Sequence, residues 1–307
     1  MKRLLFFILL FGVFISIQAQ ILNIATYNIR NDNKGDVTAG NGWLQRCPVI
    51  AGQILFHDFD IFGTQEGKYN QLEDLKKALP GYDFIGVGRD DGQQGGEHSA
   101  IFFKMDRFKI LRKGDFWMST VTDRPNKGWD AALPRICSWG EFKEIKSGLT
   151  VLVFNLHMDH IGVEARRESA KLILAKMREL GSKTPVILMG DFNIDQNNES
   201  YLLLNTSGIL QDAYDQSPVR YANNGTFNAF RTDLKTDRRI DHIFLTSHFK
   251  VLRYGVLTDI YWIPTPESNE ELKAGDSPPE MSFRKFSPRM PSDHFPVMIQ
   301  IQGPKKK

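Results

Sequence analysis

The sequence predicts an α/β chain folded as one domain around mixed β-sheet. Strand-like and helix-like runs alternate as far as Gly88, and from Ser99 strand-like runs follow one another without intervening helices. No repeat, low-complexity tract or Pro/Gly/Ser-rich linker divides the chain. Alternation calls for parallel strands joined by helices, and successive strands call for hairpins, so both kinds of pairing are expected.

Residues 1–19 stand apart. Lys2 and Arg3 precede an apolar run from Leu4 to Ile17, and a small residue follows at Ala19. That is the pattern of a secretory signal peptide cleaved after Ala19. The run is too short and too early for a membrane span, and no cysteine follows the cleavage point to carry a lipid anchor. A single domain is therefore expected over residues 20–307, in a secreted or periplasmic monomer with no stable membrane insertion. Loss of Lys2 and Arg3 lowers the formal net charge from +3 to +1, so no global attraction to nucleic acid or anionic membrane is encoded. Lys305, Lys306 and Lys307 read as a solvated tail.

In chain order, "ILNIATYNI" (21–29) is a β-branched, alternating strand and "PVIAGQILFH" (48–57) a helix opened by Pro48. "DIFGTQE" is a strand, "NQLEDLKKAL" a helix ended by Pro80 and Gly81, and "YDFIGVG" a strand. "SAIFFK", "RFKILRKGDFWMS", "RICSWGEFKE" and "LTVLVFNLHMDH" are consecutive strands. "VEARRESAKLILAKMREL" is a helix with Ala165, Leu172, Ala175 and Met177 on its apolar face, and "TPVILMGDFNI" a buried strand. "RRIDHIFLTS", "KVLRYGVLTD" and "SDHFPVMIQIQ" are further strands, the last two separated by a long polar loop over 263–291. "YWIPTP" at its start reads as packed loop or as an apolar tip. Cys47 and Cys137 either form one disulfide or remain two buried thiols, and neither has zinc-site spacing.

Polar residues collect where apolar strands end: Asn28, Glu66, His157, Asp191 and Asn193, with Asp241 inside "RIDHIFL" and Asp293 and His294 before "FPVMIQI". Each alone has a local explanation as a turn or cap residue. Together they are a chemical set. Glu66 and Asp293, with Asp191 or Asn193, offer hard oxygen ligands suited to Mg²⁺, Mn²⁺ or Ca²⁺. The histidines can move protons near neutral pH. Metal, imidazole and amide donors are what in-line hydrolysis of a phosphate ester requires.

The strings "YNIR", "GTQE", "NLHMDH", "GDFN", "RIDHIF" and "SDHFPV", in that order, resemble the endonuclease/exonuclease/phosphatase superfamily. That resemblance implies a four-layer α/β sandwich of two packed mixed sheets flanked by helices, with the site at one end. It makes Glu66 the principal metal ligand, with Asn28 beside it and Asp293 close to the metal. It makes His294 a phosphate contact oriented by Asp241, Asp191 the residue that positions or deprotonates water, and Asn193 a phosphate donor. His157 and Glu97 match the histidine and carboxylate pair of the deoxyribonuclease branch, and Arg135 resembles an arginine that approaches the phosphate. Thr226 is a candidate lining residue, His98, His160 and His242 have no assigned role, and Asp159 is set on the face away from His157.

The activity so implied is a secreted, metal-dependent phosphodiesterase of nuclease-like type. Alternatives are a sphingomyelinase-like or phosphoinositide-phosphatase-like hydrolase on the same site, or a non-catalytic binding protein of the same fold. Nucleic acid, phospholipid and sugar phosphate are all expected substrate classes.

Overall fold

The computed structural model describes residues 20–304 apart from 182 and 274. The signal segment expected over 1–19 and the tail 305–307 lie outside the described residues. Seven strands form one sheet, in the order Arg220–Tyr221, Lys250–Val256, Val297–Gln302, Ile21–Asn28, Ile61–Gln65, Ile101–Lys104, Tyr82–Ile85. Six form the second, in the order Gln211–Asp212, Asp241–Leu245, Val186–Asp191, Thr150–His157, Ile136–Glu144, Phe108–Trp117. Both sheets are mixed: Ile21–Asn28 runs parallel to Ile61–Gln65 and antiparallel to Val297–Gln302, and Val186–Asp191 stands likewise between Thr150–His157 and Asp241–Leu245.

Strand alternation sorts the side chains into layers. Leu22, Ile24, Val151, Val153, Ile187, Met189, Ile243, Val297 and Ile299 meet between the sheets. Ala25, Tyr27 and Phe62 turn outward against the helices Trp43–Phe56 and Tyr69–Ala78, where Ile50, Ile54, Leu72 and Leu75 cover them. Leu152, Phe154 and Leu188 pack outward against Val163–Gly181 and Glu199–Asn205. The result is the four-layer sandwich that the resemblance implies. The same parity carries Asn28, His157, Asp191 and Asp241 to the face between the sheets, because each continues the odd or even series of its strand's inner residues.

Beneath that end the apolar core gives way to one polar clamp. Asn155 is fully buried; its Oδ1 accepts from Gln65 Nε2 at 2.6 Å, and its Nδ2 donates to Thr64 O at 2.9 Å and Ala100 O at 2.8 Å. Gln65 also donates to Thr26 Oγ1. Gly63 makes room for the clamp, since a Cβ there would lie 2.4 Å from Asn155 Oδ1. Gly190 allows a similar approach in the second sheet: its φ is 151° and a Cβ would meet Leu156 O at 2.2 Å.

Several expected elements shift. The first long helix begins at Trp43, not Pro48, because Trp43 and Arg46 bury in its opening turns. On Val163–Gly181 the buried residues are Ala165, Ser169, Ala170, Ile173, Leu174 and Met177; Ala175 is exposed and Leu172 only half-buried. The helix Glu199–Asn205, capped by the Asn198 side chain, had no apolar signal beyond "YLLL". The 263–291 loop holds a short 3₁₀ turn, Pro266–Asn269, and its start pairs as Tyr261–Pro264 with Phe286–Arg289, leaving Trp262 exposed. Cys47 and Cys137 are free, buried thiols in opposite outer layers. Among the described residues no helix is long and apolar enough to cross a membrane.

Replacing Asn155 by Ala leaves buried partners unpaired and opens a void between the sheets. It is expected to lower unfolding stability by about 2 to 3 kcal/mol in a urea titration; a change below about 0.5 kcal/mol would show that the clamp is dispensable.

Candidate active site

Register brings the strand ends level. Asp191 sits opposite Asp241 in one neighbouring strand and opposite His157 in the other. From the first sheet come Asn28 and, one residue past Gln65, Glu66. Three residues here adopt left-handed backbone, Arg30 (φ 54°), Glu66 (φ 63°) and Asn193 (φ 51°). Non-glycine residues pay roughly 1 to 2 kcal/mol for it, and in each case the turn ends strand alternation beside the cleft. Asp293 and His294 arrive on the segment leading to Val297–Gln302, tied down by Ser292 Oγ, which donates to Asn28 O at 2.6 Å.

All ten residues singled out from the sequence converge at this end of the sandwich. A cleft of about 390 Å³ is lined by Arg30, Glu66, Glu97, Arg135, His157, Asp191, Asn193, Asp293 and His294, among others. Asn28 and Asp241 lie directly behind it. Asn28 Nδ2 donates to Asp191 Oδ2 at 3.0 Å and Glu66 Oε1 at 3.1 Å, while its Oδ1 accepts from Arg30 N. So placed, it braces two carboxylates as a donor, and offers a metal its oxygen only after its amide rotates. His294 Nδ1 donates to Asp241 Oδ2 at 2.9 Å, which leaves Nε2 facing Asp191 Oδ2 at 3.8 Å. His157 Nε2 approaches the same Asp191 oxygen at 3.6 Å. Asn193 N donates to Asp191 Oδ1, and Asn193 Nδ2 donates to Met158 O, leaving a second amide hydrogen.

Burial sets the two imidazoles apart. Burial alone would lower His294, but the carboxylates of Asp241 and Asp191 hold it well above the usual imidazole range. Burial pushes His157 well below that range, and the Arg135 and Arg89 guanidiniums add to the effect. Burial and the Asp241 carboxylate raise Asp191 to about 7. Burial also raises Asp293 and Glu97, opposed by His294 at Asp293 and by Arg89 at Glu97. The site therefore holds a charged donor, His294, and a neutral acceptor, His157, on either side of Asp191.

The donor set fits a hard divalent cation. Arg30 Nη1 lies 3.4 Å from Asp293 Oδ2 and 3.8 Å from Glu66 Oε2, so the space between these carboxylates already accepts a positive charge. Oxygen ligands alone suit Mg²⁺, Mn²⁺ or Ca²⁺. A tighter group, Asp191, Asp241 and His294, has ligand atoms within 4.8 Å of one another. There, however, His294 Nδ1 is committed to Asp241 and the charged ring itself neutralises its neighbours. Glu66 and Asp293 could hold a cation in the place the Arg30 guanidinium now takes.

Three supporting residues were not legible as such. Arg46 is fully buried and donates to the carbonyls of Ile29, Arg30, Asn41 and Pro291, joining the Arg30 turn to the Asp293 segment. Asp159, expected to face away from His157, instead turns in beyond the strand's end at His157 and holds Arg135 Nε at 3.2 Å, together with the backbone N–H groups of Ile161 and Gly162. Arg89 binds Glu97 at 2.5 Å, closer than Glu97 comes to His157, which is 4.0 Å away. Thr226 does not line the cleft; its Oγ1 accepts from the N–H groups of Ile240 and Asp241, and Phe227 faces the cleft instead. His160 stands at the rim against Arg135 Nη2. His242 has the opposite parity to Asp241 and packs outward among Phe192, Tyr201 and Phe244. His98 is buried beside Tyr69.

A sandwich with this end-on arrangement of carboxylates, imidazoles and guanidinium defines a phosphoesterase-type scaffold. The Endonuclease/Exonuclease/phosphatase family matches residues 25–294, and the chain belongs to that family. Its hydrolases act on phosphate esters. A family protein from Bacteroides thetaiotaomicron is 53% identical with a TM-score of 0.85, covering 92% of this chain and 98% of that one. A mannosyl-6-phosphatase from the same organism is also 53% identical, with a TM-score of 0.84 over 91% and 99% of the two chains. The human nocturnin catalytic domain, 19% identical with a TM-score of 0.64 over 93% and 97%, shares the fold. Among curated proteins, protein L388 of Acanthamoeba polyphaga mimivirus is 31% identical over 169 residues, 50% of this chain and 60% of its own length. The chain thus spans about three-fifths or less of the first curated relatives it matches.

The charge pattern gives metal-free protein a definite pH dependence. Asp191 and His294 both have raised folded values, so each binds more protons folded than unfolded and contributes less stability as pH rises. His157 acts in the opposite sense, but only below about 6.5, where unfolded imidazole charges. Between about pH 6.5 and 8 the melting temperature in EDTA is expected to fall. Mg²⁺ is expected to raise it more at pH 8 than at pH 6.5, because burial raises Asp293 and Asp191 and their ionised forms attract the cation. A flat EDTA profile, or a pH-independent Mg²⁺ shift, contradicts the assignment.

Proposed function

We propose that the chain is an exported, divalent-metal-dependent phosphomonoesterase that removes phosphate from a sugar phosphate by in-line attack of water. The observation that carries the reaction type is Asp191 Oδ2 standing between His157 Nε2 and His294 Nε2, at 3.6 and 3.8 Å, on the floor of the cleft. Support for the substrate class comes from the 53% identical mannosyl-6-phosphatase. A cavity near 390 Å³ is in the range of small-molecule sites.

Each residue has a distinct task. His294, charged and held by Asp241, donates through Nε2 to a phosphate oxygen. Arg135 Nη1 and the free amide hydrogen of Asn193 are further donors for the oxygens of the pentacovalent state. Asp191 orients the water, and Asp191 or neutral His157 takes its proton. Bound at Glu66 and Asp293, a divalent cation would neutralise phosphate charge and stabilise the departing oxygen. The nuclease-like diesterase remains a second reading because His157 and Glu97 face one another as in the deoxyribonuclease branch, although Arg89 holds Glu97 away from a short contact.

The panel that separates these readings is mannose 6-phosphate, p-nitrophenyl phosphate, bis-p-nitrophenyl phosphate, DNA and sphingomyelin, each with Mg²⁺ or EDTA. The sugar phosphate is expected to be hydrolysed fastest and EDTA to abolish turnover; faster hydrolysis of DNA would favour the diesterase. Asp191→Asn and His294→Gln are each expected to lower kcat by at least about 10³-fold in folded protein. Mass spectrometry of the exported protein should find Gln20 as the first residue, and an intact residue 1 would remove the export step.

A further inference from the structure

Two guanidiniums on the cleft wall make fewer bonds than their burial calls for. Arg135, 4% exposed, precedes the strand Ile136–Glu144 of the second sheet. Its Nε is held by Asp159 and its Nη2 by His160, but Nη1 is buried without a partner. Arg89, 9% exposed, comes from the first sheet, on the loop between Tyr82–Ile85 and Ile101–Lys104. Its Nη1 is paired with Glu97, Asp90 is no closer than 3.8 Å to its Nε, and that Nε is buried without a hydrogen bond. Buried N–H groups left unpaired are rare, because each has given up water for nothing.

The fold also holds these like charges near one another. Burial and the neighbouring Arg89 both depress Arg135. Glu97 and Asp159 offset the charge yet each engages a single guanidinium nitrogen. The Arg89 backbone is fixed: its N–H donates to Glu97 O at 3.0 Å, its carbonyl accepts from Trp117 Nε1 at 2.8 Å, and Gly88 packs so closely on Gly95 that a Cβ would lie 2.1 Å from Gly95 O. Both arginines line the cleft that holds His157, Asp191, Glu66 and Asp293.

We infer that Arg89 and Arg135 together form a receptor for the terminal oxygens of a dianionic phosphate, which makes the cleft selective for phosphomonoesters over phosphodiesters. A monoester offers three terminal oxygens and two charges, a diester two oxygens and one charge. Planar guanidinium forks match the extra oxygen and the extra charge. Arg135 alone follows from the family resemblance; Arg89 is the specificity-determining addition. The inference rests on the phosphomonoesterase reading but is separable from it.

Two readouts test it. With Mg²⁺, the ratio of kcat/KM for p-nitrophenyl phosphate to that for bis-p-nitrophenyl phosphate is expected to fall at least tenfold in Arg89→Gln. In EDTA, inorganic phosphate is expected to raise the melting temperature of the wild type, and Arg89→Gln to lose most of that shift, with dimethyl phosphate giving little shift in either. Should Arg89→Gln not fold, Arg89→Lys keeps the charge without the fork and is expected to fall between. A folded variant whose ratio stays within twofold of wild type and whose phosphate shift is kept overturns the inference. A wild type that hydrolyses no monoester but still shows an Arg89-dependent phosphate shift sinks the phosphomonoesterase reading and leaves the receptor standing.

Discussion

Repulsion between buried carboxylates, Glu66 against Asp293 and Asp191 against Asp241, is the constraint around which this end of the molecule is organised. Asn28 Nδ2 touches both Glu66 and Asp191, so these carboxylates lie within a few ångströms of each other, and Arg30 spans Glu66 and Asp293. Like charges some 5 to 6 Å apart cost about 3 kcal/mol at an effective dielectric near 20, a large part of a domain's net stability. The structure answers with a shared amide donor, a guanidinium, a charged His294 and a tendency of Asp191 to keep its proton. Each of these is a partial substitute for a divalent cation.

Two buried polar staples hold the scaffold that sustains this arrangement. Asn155 joins the two sheets at the depth where apolar packing stops, and Gly63 is shaped to let it through. Register then sets Asp241, Asp191 and His157 side by side without further adjustment. Arg46 does for the loops what Asn155 does for the strands, gathering four carbonyls from both sides of the site. Rigidity of this kind keeps donors aimed where charge develops, at the cost of local backbone strain at Glu66, Asn193 and Arg30.

Much of this was legible because strand parity is a local property. Once "LNIATYN", "TVLVFNLH" and "PVILMGD" are strands, each terminal polar residue has a fixed face, and the resemblance carried by the motifs around them supplies the convergence that parity alone does not. What escaped notice depends on contacts between distant segments. Nothing in "LQRCP" marks Arg46 as a fully buried staple, nor does "GRDDGQQGGEH" mark Arg89 as the partner of Glu97, because an arginine's burial is decided by carbonyls and carboxylates brought in by other loops. Asp159 is misplaced only by a miscount, since residues two apart share a face of a strand and parity sets it with His157. Thr226 was placed one residue away from the side chain that faces the cleft, Phe227, since a short loop gives no parity to count. The 263–291 segment looked like open loop because its pairing partners are separated by a polar stretch that carries no periodic signal.

Titration of the metal-free protein with Mn²⁺, followed by electron paramagnetic resonance of the free ion, tests the charge-centred account most directly because it needs no substrate. Binding at neutral pH is expected in the wild type and should weaken at least tenfold in Glu66→Gln and in Asp293→Asn, while Asp241→Asn, which removes the charge facing His294 and Asp191, should retain it. Undiminished binding in the first two variants, with loss in the third, would place the cation at Asp191, Asp241 and His294 and contradict the account.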